Sequence, residues 1–419
     1  MKRTKMPNKK YVLIVPSVSD MGGAQMYIRN KVLYLRQNQW YVDVVVAQGG
    51  RVQISELQEF QFAIPELAFN IYCYSNKKKK QIVDKIVEKI KDDTAEEFVI
   101  ESTCISESSW AEAVAKRLGA KHISFLLQEG NVVTNVGMQQ FFIFKHHRRE
   151  LAGIVDTSLI TMFAPFHPIP KEDSYKLLAY CNNVEADIDS PYIRQVDAID
   201  CDYVVGMLSR LEKPFVMPAI IDFCQYAQIH RDKKFLLLLM GSAPKGSGVL
   251  EKLQLLIKAR TSNISVISTG YLYPVPTKLL EKCDAFFTSA GSSQVCMYSG
   301  VPTIAYDGND FKPIGIMGRT TMNSLFRGEN EPPQDFSILM DQILIEQKYK
   351  KEATTYEKGL PDFTDFLQFL SVTSKEKDYY DVESIRPESN VDYKLKCGLA
   401  FIGPKNYLKL GFLKKKWKM

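Results

Sequence analysis

Hydrophobic residues follow two alternating rhythms along this chain. Short, nearly solid apolar runs predict strands in the first half: Tyr11 to Val18, Tyr41 to Ala47, Phe69 to Tyr74, Phe98 to Ser102, His122 to Gln128 and a run near Leu159 to Phe163. Between them apolar residues recur at helical spacing, with Ile28, Val32 and Leu35 on one stripe and Ile82, Ile86 and Ile90 on another. The second half repeats the alternation with strands at Tyr203 to Leu208, Phe235 to Met240, Ile264 to Ser268, Asp284 to Thr288 and Thr303 to Tyr306. Helical patterns resume at Phe336 to Gln347 and Phe363 to Leu370. Strands separated by helices imply α/β architecture, with parallel sheets covered by helices on both faces. Residues 1–190 and 191–370 are the expected domains, joined through Tyr192 to Asp202. The polar stretch SKEKDYYDVESIRPESN then reads as a linker, so 371–419 is linker plus a basic tail.

Candidate chemistry sits where these strands end. DAFFTSAGSSQVCMYSGVPTIAYD, Asp284 to Asp307, reads as strand, glycine turn, short helix, glycine turn and strand. Gly291, Ser292 and Ser293 open that helix, and its free N–H groups and hydroxyls suit a phosphate. Upstream, Tyr11 to Val18 runs into Gly22 and Gly23, which let the backbone approach phosphates or an acceptor closely. Two such strand-glycine-helix units imply two nucleotide-binding-type domains facing one cleft. Arg210 and Lys213, just after Tyr203 to Leu208, form the expected charged clamp on a diphosphate, arginine being suited to bidentate contact. The competing readings are a serine cap, a tight turn and solvated loop charges. For a base, Glu129, which follows His122 to Gln128, is the first strand-end acid able to take a proton and Glu101 is the second, with a surface salt bridge as the competing reading of Glu129. His146 and His147, within KHHRRE, read as a solvated helix face.

Composition narrows the classes. The 419 residues, 45% hydrophobic and 24% charged, suffice for two cores of ordinary size. The longest aliphatic run, Phe235 to Met240, falls far short of the roughly 20 residues that span a bilayer. At the start, Pro16 interrupts the apolar segment and no small-residue cleavage site follows, so a solvated tail and first strand are expected there. Eight cysteines show no CxxC spacing, no His/Cys cluster has zinc spacing, and there is no Walker motif; reduced thiols, no metal and no cofactor are expected. The first turn lacks GxGxxG, and Tyr41 to Ala47 runs into Gln48 and two glycines where a dehydrogenase needs an acid. A nucleic-acid partner is not expected. After Asp392 the chain has no acid, and Leu408, Leu410, Phe412, Leu413 and Trp417 interleave with Lys405, Lys409, Lys414, Lys415, Lys416 and Lys418, which suits an anionic membrane surface.

The ordered set of motifs resembles the GT-B glycosyltransferases, particularly the family 4 enzymes that build bacterial capsules, exopolysaccharides and lipopolysaccharide cores. PSVSDMGGAQMYIRNKVLYL is similar to that group's strand, double glycine and helix. CNNVEADI at Cys181 to Ile188 resembles its Asn-Gly-Val-Asp segment, and VGMLSRLEKP at Val205 to Pro214 its Gly-Arg-Leu-Ser-x-x-Lys-Gly turn. LEKCDAFFTSAGSSQVCMYSGVPTIAYD resembles its donor-site helix and Gly-x-Pro strand. Together these cover most of Tyr11 to about Leu370, in the family's order. Three positions depart from it: Val295 stands where the second family glutamate belongs, no acid before Gly291 replaces the first, and Met207 replaces an arginine. The short AGSSQ turn also resembles donor loops of other GT-B branches. The resemblance implies two Rossmann-like domains and metal-independent transfer of a hexosyl group from a UDP- or GDP-linked sugar to a glycan or lipid-linked acceptor. It implies a cytoplasmic protein, peripheral on the inner face of the membrane. A catalytically degenerate GT-B subunit that scaffolds or activates a partner enzyme is the alternative. A sugar-nucleotide epimerase would want carboxylates and a histidine that the sequence does not assemble.

Overall fold

The computed structural model describes residues 9–403 except 20, 50–52, 93, 129, 156, 182–183, 186–187, 244–245, 329, 357–360, 375 and 389–390. The chain divides into two compact units, Met1–Cys181 with Leu360–Met419, and Asn182–Gly359.

The first unit alternates strand and helix: β1 (Lys9–Ser17), α1 (Gly23–Gln37), β2 (Trp40–Gln48), β3 (Gln61–Ala63), α2 (Asn76–Ile90), β4 (Glu97–Ser102), α3 (Ile105–Leu118), β5 (Lys121–Leu126), α4 (Val136–His147), β6 (Leu151–Gly153) and α5 (Thr157–Phe163). Its six strands run parallel in the order β3-β2-β1-β4-β5-β6. Because helices cover both faces, the middle of β1 is a solid apolar run, with Tyr11 to Val15 wholly buried between Lys9 and Lys10 at its start and Ser17 at its end. Two expected strands are not strands. Phe69 to Tyr74 contains the 3-10 turn Ile71–Cys73, and Leu159 to Phe163 lies in α5. Leu159, Met162 and Phe163 are buried at helical spacing, which so short an apolar run does not reveal.

The second unit holds β7 (Val184–Glu185), α6 (Pro191–Asp197), β8 (Tyr203–Leu208), α7 (Val216–Ile229), β9 (Phe235–Met240), α8 (Val249–Arg260), β10 (Ile264–Gly270), β11 (Val275–Pro276), α9 (Thr277–Leu280), β12 (Ala285–Thr288), α10 (Gly291–Tyr298), β13 (Thr303–Tyr306), β14 (Pro313–Ile316) and α11 (Phe336–Leu344). Its main sheet has the order β10-β9-β8-β12-β13-β14, parallel except for β14. The segment read as a domain connector carries α6, capped by Ser190. In each sheet the first long strand, β1 or β8, is central and the strand order reverses beside it. Loops beyond the carboxyl ends of the strands at such a switch point are where α/β folds bind ligands.

After the second unit the chain returns to the first as α12 (Thr364–Val372) and α13 (Val391–Ile402). The second domain, expected to run to 370, therefore gives up α12: Phe366 meets Tyr11 edge-on at 6.1 Å and Phe363 meets Tyr27 at 5.9 Å. The expected linker is a strap on the first unit. Tyr380 N–H donates to Glu112 Oε1 at 2.9 Å, Lys79 Nζ donates to the Glu383 carbonyl at 2.5 Å, and Val382 and Ile385 are buried in the core. Nor is KHHRRE wholly solvated. Lys145 is buried between Glu112 (3.1 Å) and Glu150 (2.6 Å), and buried His146 Nε2 lies 2.8 Å from the Asp173 carbonyl. Among the described residues no helix is long and apolar enough to cross a membrane. Glu129 and the tail beyond Gly403 lie outside the described residues.

Candidate functional site at the strand switch points

In the second unit, β8 and β12 pair through Val205 and Ala285, and Thr288 Oγ1 ties their carboxyl ends by donating to the Leu208 carbonyl at 2.7 Å. Beyond β12 the chain turns through Ala290 into α10. Ala290 has φ 60° and ψ −143°, a region that side chains other than glycine's avoid. Its N–H donates to the Ser324 carbonyl at 2.6 Å, which holds the turn in place. No side chain caps α10, so helix geometry leaves the N–H groups of half-buried Gly291 and Ser292 without intrahelical acceptors. Ser293 is different. Its side chain is buried and its hydroxyl donates to the Ala290 carbonyl at 2.6 Å, so it closes the turn and offers no donor to a ligand. The expectation for that hydroxyl is corrected accordingly.

Two residues beyond β8 stands Arg210, exposed, with its guanidinium 3.4 Å from Glu212. Lys213 is half-buried; burial first, and Arg210 second, hold its amine below the usual lysine range. The loop cannot shift freely: Gly241, just past β9, has φ 147°, and a Cβ there would stand 1.8 Å from the Ser209 carbonyl oxygen. The sheet thus places Arg210, Lys213, Gly291 and Ser292 on the two loops that flank one switch point. Met207 and Val295 point elsewhere. Met207 is buried in β8, and Val295 packs in an apolar cluster with Cys283 and Cys296. A hollow of about 310 Å³, lined in part by Asp202, Asp284 and Lys351, opens at the opposite, amino-terminal edge of this sheet. There Asp284 is already engaged with the Val204 N–H at 2.8 Å and Lys351 at 3.0 Å.

The first unit has the matching loops after β1 and β4. Gly22 precedes α1 in an extended conformation, and no side chain caps that helix either. A Cβ on Gly23 would stand 3.8 Å from Cys181, an ordinary contact. The folded chain therefore does not itself demand glycine at Gly23, whereas a Cβ on Gly22 would crowd Gln25 Oε1 at 3.1 Å; what both leave is open backbone at an uncapped helix start. Glu101, next to last in β4, turns its side chain into the core. It is wholly buried, accepting from Lys31 Nζ at 2.5 Å, Tyr27 OH at 2.7 Å and Tyr11 OH, so the proton-accepting role expected of it is corrected to a structural one. Sequence reasoning missed Glu107, in the first turn of α3 directly beyond β4. Burial pushes its carboxyl up to about 7 against the pull of the Ser106 hydroxyl. Its only sequence signal is an acid in a helix start after a strand. Among the described residues no three His, Cys, Asp or Glu side chains form a metal-ligand set, and no two cysteines are bonded.

No protein-family model matches this sequence, and no curated protein matches it significantly. Its fold does match solved structures. A glycosyltransferase from Rickettsia africae is similar with a TM-score of 0.57 at 14% identity, the match covering 96% of this chain and 99% of that one. Anabaena HepE in complex with UDP and glucose is similar with a TM-score of 0.55 at 14% identity, covering 82% of this chain and 92% of that one. At such identities the likeness is one of fold. The class defined is α/β with two Rossmann-like domains, and the particular architecture is GT-B.

Proposed function

We propose that this protein moves a hexosyl group from a UDP- or GDP-linked sugar to a glycan or lipid-linked acceptor in surface-polysaccharide synthesis, without a metal ion, at the cytoplasmic face of a membrane. The observation that carries this reading is the uncapped start of α10 at Gly291 and Ser292, beside the β8 loop with Arg210 and Lys213. When the glycosidic bond breaks, negative charge builds on the leaving diphosphate. Aligned N–H groups and a fixed cation stabilise that charge more than they stabilise the bound donor. UDP is the favoured nucleotide because HepE, of similar fold, is described in complex with UDP and glucose. Gly22 and Gly23 give the first unit a second open helix start, assigned to donor phosphates or acceptor. With Glu101 committed to the core, Glu107 is assigned as the proton acceptor for its place in the first turn of α3 directly beyond β4, where burial holds its carboxyl above the usual range.

The test is transfer of radiolabel from a panel of nucleotide-sugars to native membranes in excess EDTA. Turnover by the isolated protein is expected. Complete loss on chelation, restored by manganese, would overturn the metal-independent scheme. A second reading, an accessory subunit that activates a partner glycosyltransferase, is favoured by Val295, an apolar residue at a position where the resembled family keeps a glutamate. It requires transfer to appear only when the partner is added.

A further inference from the structure

We infer that α13 and the start of α2 form one membrane-docking surface on the first unit, built for an anionic bilayer. This rests on the membrane reading above and names the element that makes contact. α13 packs on the 3-10 turn Ile71–Cys73, with Ala400 buried and Cys397 half-buried. At about 100° per residue, Leu395, Leu399 and Ile402 fall on the side of the helix away from Cys397 and Ala400. A surface helix of a globular protein normally carries polar residues there. Instead Leu395 is 60% and Ile402 56% exposed, and on the flank Phe401 is 93% exposed, one helical face with Lys394 seven residues earlier.

The 3-10 turn that α13 packs on leads directly into a run of exposed charge. Ser75 caps α2 two residues after the same 3-10 turn, and the first turns of α2 carry Lys77, Lys78 and Lys80, all exposed. Lys79 points inward to the Glu383 carbonyl, which anchors the strap and holds its three neighbours outward. Residues 394–419 contain eight lysines and no acid, so the charge extends along the following sequence. An apolar stripe flanked by an exposed phenylalanine and Lys394, on a helix packed against the turn that leads into the α2 lysines, fits the interface of an anionic bilayer, where apolar side chains enter the acyl boundary and ammonium groups meet lipid phosphates.

The experiment is co-sedimentation of the full chain with phosphatidylglycerol-containing and pure phosphatidylcholine vesicles, at low salt and at about 0.5 M NaCl, where surface attraction is screened. Three variants are compared: Leu395→Ser with Phe401→Ser and Ile402→Ser; Lys77→Glu with Lys78→Glu and Lys80→Glu; and a chain ending at Gly403. The apolar variant is expected to lose the salt-resistant fraction about tenfold while keeping most low-salt binding, and the lysine variant to lose low-salt binding about tenfold. Unchanged thermal midpoints establish that both are folded. If both bind like the unaltered protein while the shortened chain does not, the membrane reading stands and this surface is wrong. If the unaltered protein does not bind anionic vesicles, both fail.

Discussion

Lys31 Nζ stands 2.5 Å from Glu101 Oε2, and neither side chain reaches solvent. Tyr11 and Tyr27 donate to the same carboxylate, and the ring of Phe366 on α12 lies 2.9 Å from the ammonium. A residue on the returning segment therefore closes a charged pair in the core of the first unit. Such a pair is weak evidence for net stability, but removing one partner strands the other. Lys31→Met is expected to cost about 3–5 kcal/mol in chemical denaturation, and Lys31→Met with Glu101→Leu to recover most of it. Burial pulls the Lys31 amine down to about 8. Between that value and the ordinary lysine range the unfolded chain binds the extra proton, so this group's contribution to stability rises with pH there. Tyr11 and Tyr27, both pushed well above their ordinary value, oppose it once free tyrosine begins to ionise. The rise from Lys31 should be absent in the double variant.

Glu107 predicts a slope of the opposite sign. Its folded pKa of about 7 lies above the ordinary glutamate value, so the folded state holds a proton that the unfolded chain gives up. The stability it contributes is full below the unfolded pKa and is lost as pH rises through about 7. Glu107→Gln should flatten this slope, raising the unfolding free energy at pH 8 relative to the unaltered protein by on the order of 3 kcal/mol or less. If Glu107 takes the acceptor's proton, the same variant loses turnover, and the acidic limb near pH 7 vanishes from kcat/KM. A stabilised variant with full activity would leave Glu107 a structural acid.

Much of this fold was legible because both parallel sheets use solid apolar strands, such as Tyr11 to Val15 and Phe235 to Met240, which few other structures need. The strap was not. Tyr380, Val382 and Ile385 follow neither a helical nor a strand period; Val382 and Ile385 are buried and Tyr380 half-buried by contacts with residues more than 200 positions earlier. Glu101 shows the same limit at the site. A strand-end acid looks alike whether it faces a ligand or an ammonium, and only the fold brings Lys31 beneath it. The glycine and serine turns were found because backbone geometry is written locally, whereas the direction of each hydroxyl is not.

The turn before α10 separates two roles. Ser293→Ala removes a hydroxyl that donates to the Ala290 carbonyl, so it should cost about 1 kcal/mol of stability and leave UDP affinity unchanged. Ala290→Gly relieves a backbone conformation that costs alanine about 1–3 kcal/mol, and should raise the thermal midpoint unless the freed turn loses order. Calorimetry with UDP on both variants checks the assignment. A large loss of affinity in Ser293→Ala would mean that the hydroxyl turns to the ligand on binding.

The clamp makes the sharpest prediction, because Arg210 and Lys213 differ in surroundings. Arg210 is exposed and its neighbour Glu212, at 3.4 Å, competes weakly in solvent, so the guanidinium can pair with a diphosphate without breaking a strong contact. Lys213 is half-buried with its amine held below the usual lysine range, so an arriving anion would offset that shift and bind best to the protonated amine. Arg210→Ala and Lys213→Ala should each weaken UDP about tenfold or more, while uridine, which lacks the phosphates, changes little. For the unaltered protein, UDP affinity should fall as pH is raised toward the Lys213 pKa, and this fall should be missing from Lys213→Ala. Equal losses for UDP and uridine would instead mean that the β8 loop has moved, and would remove both residues from the phosphate site.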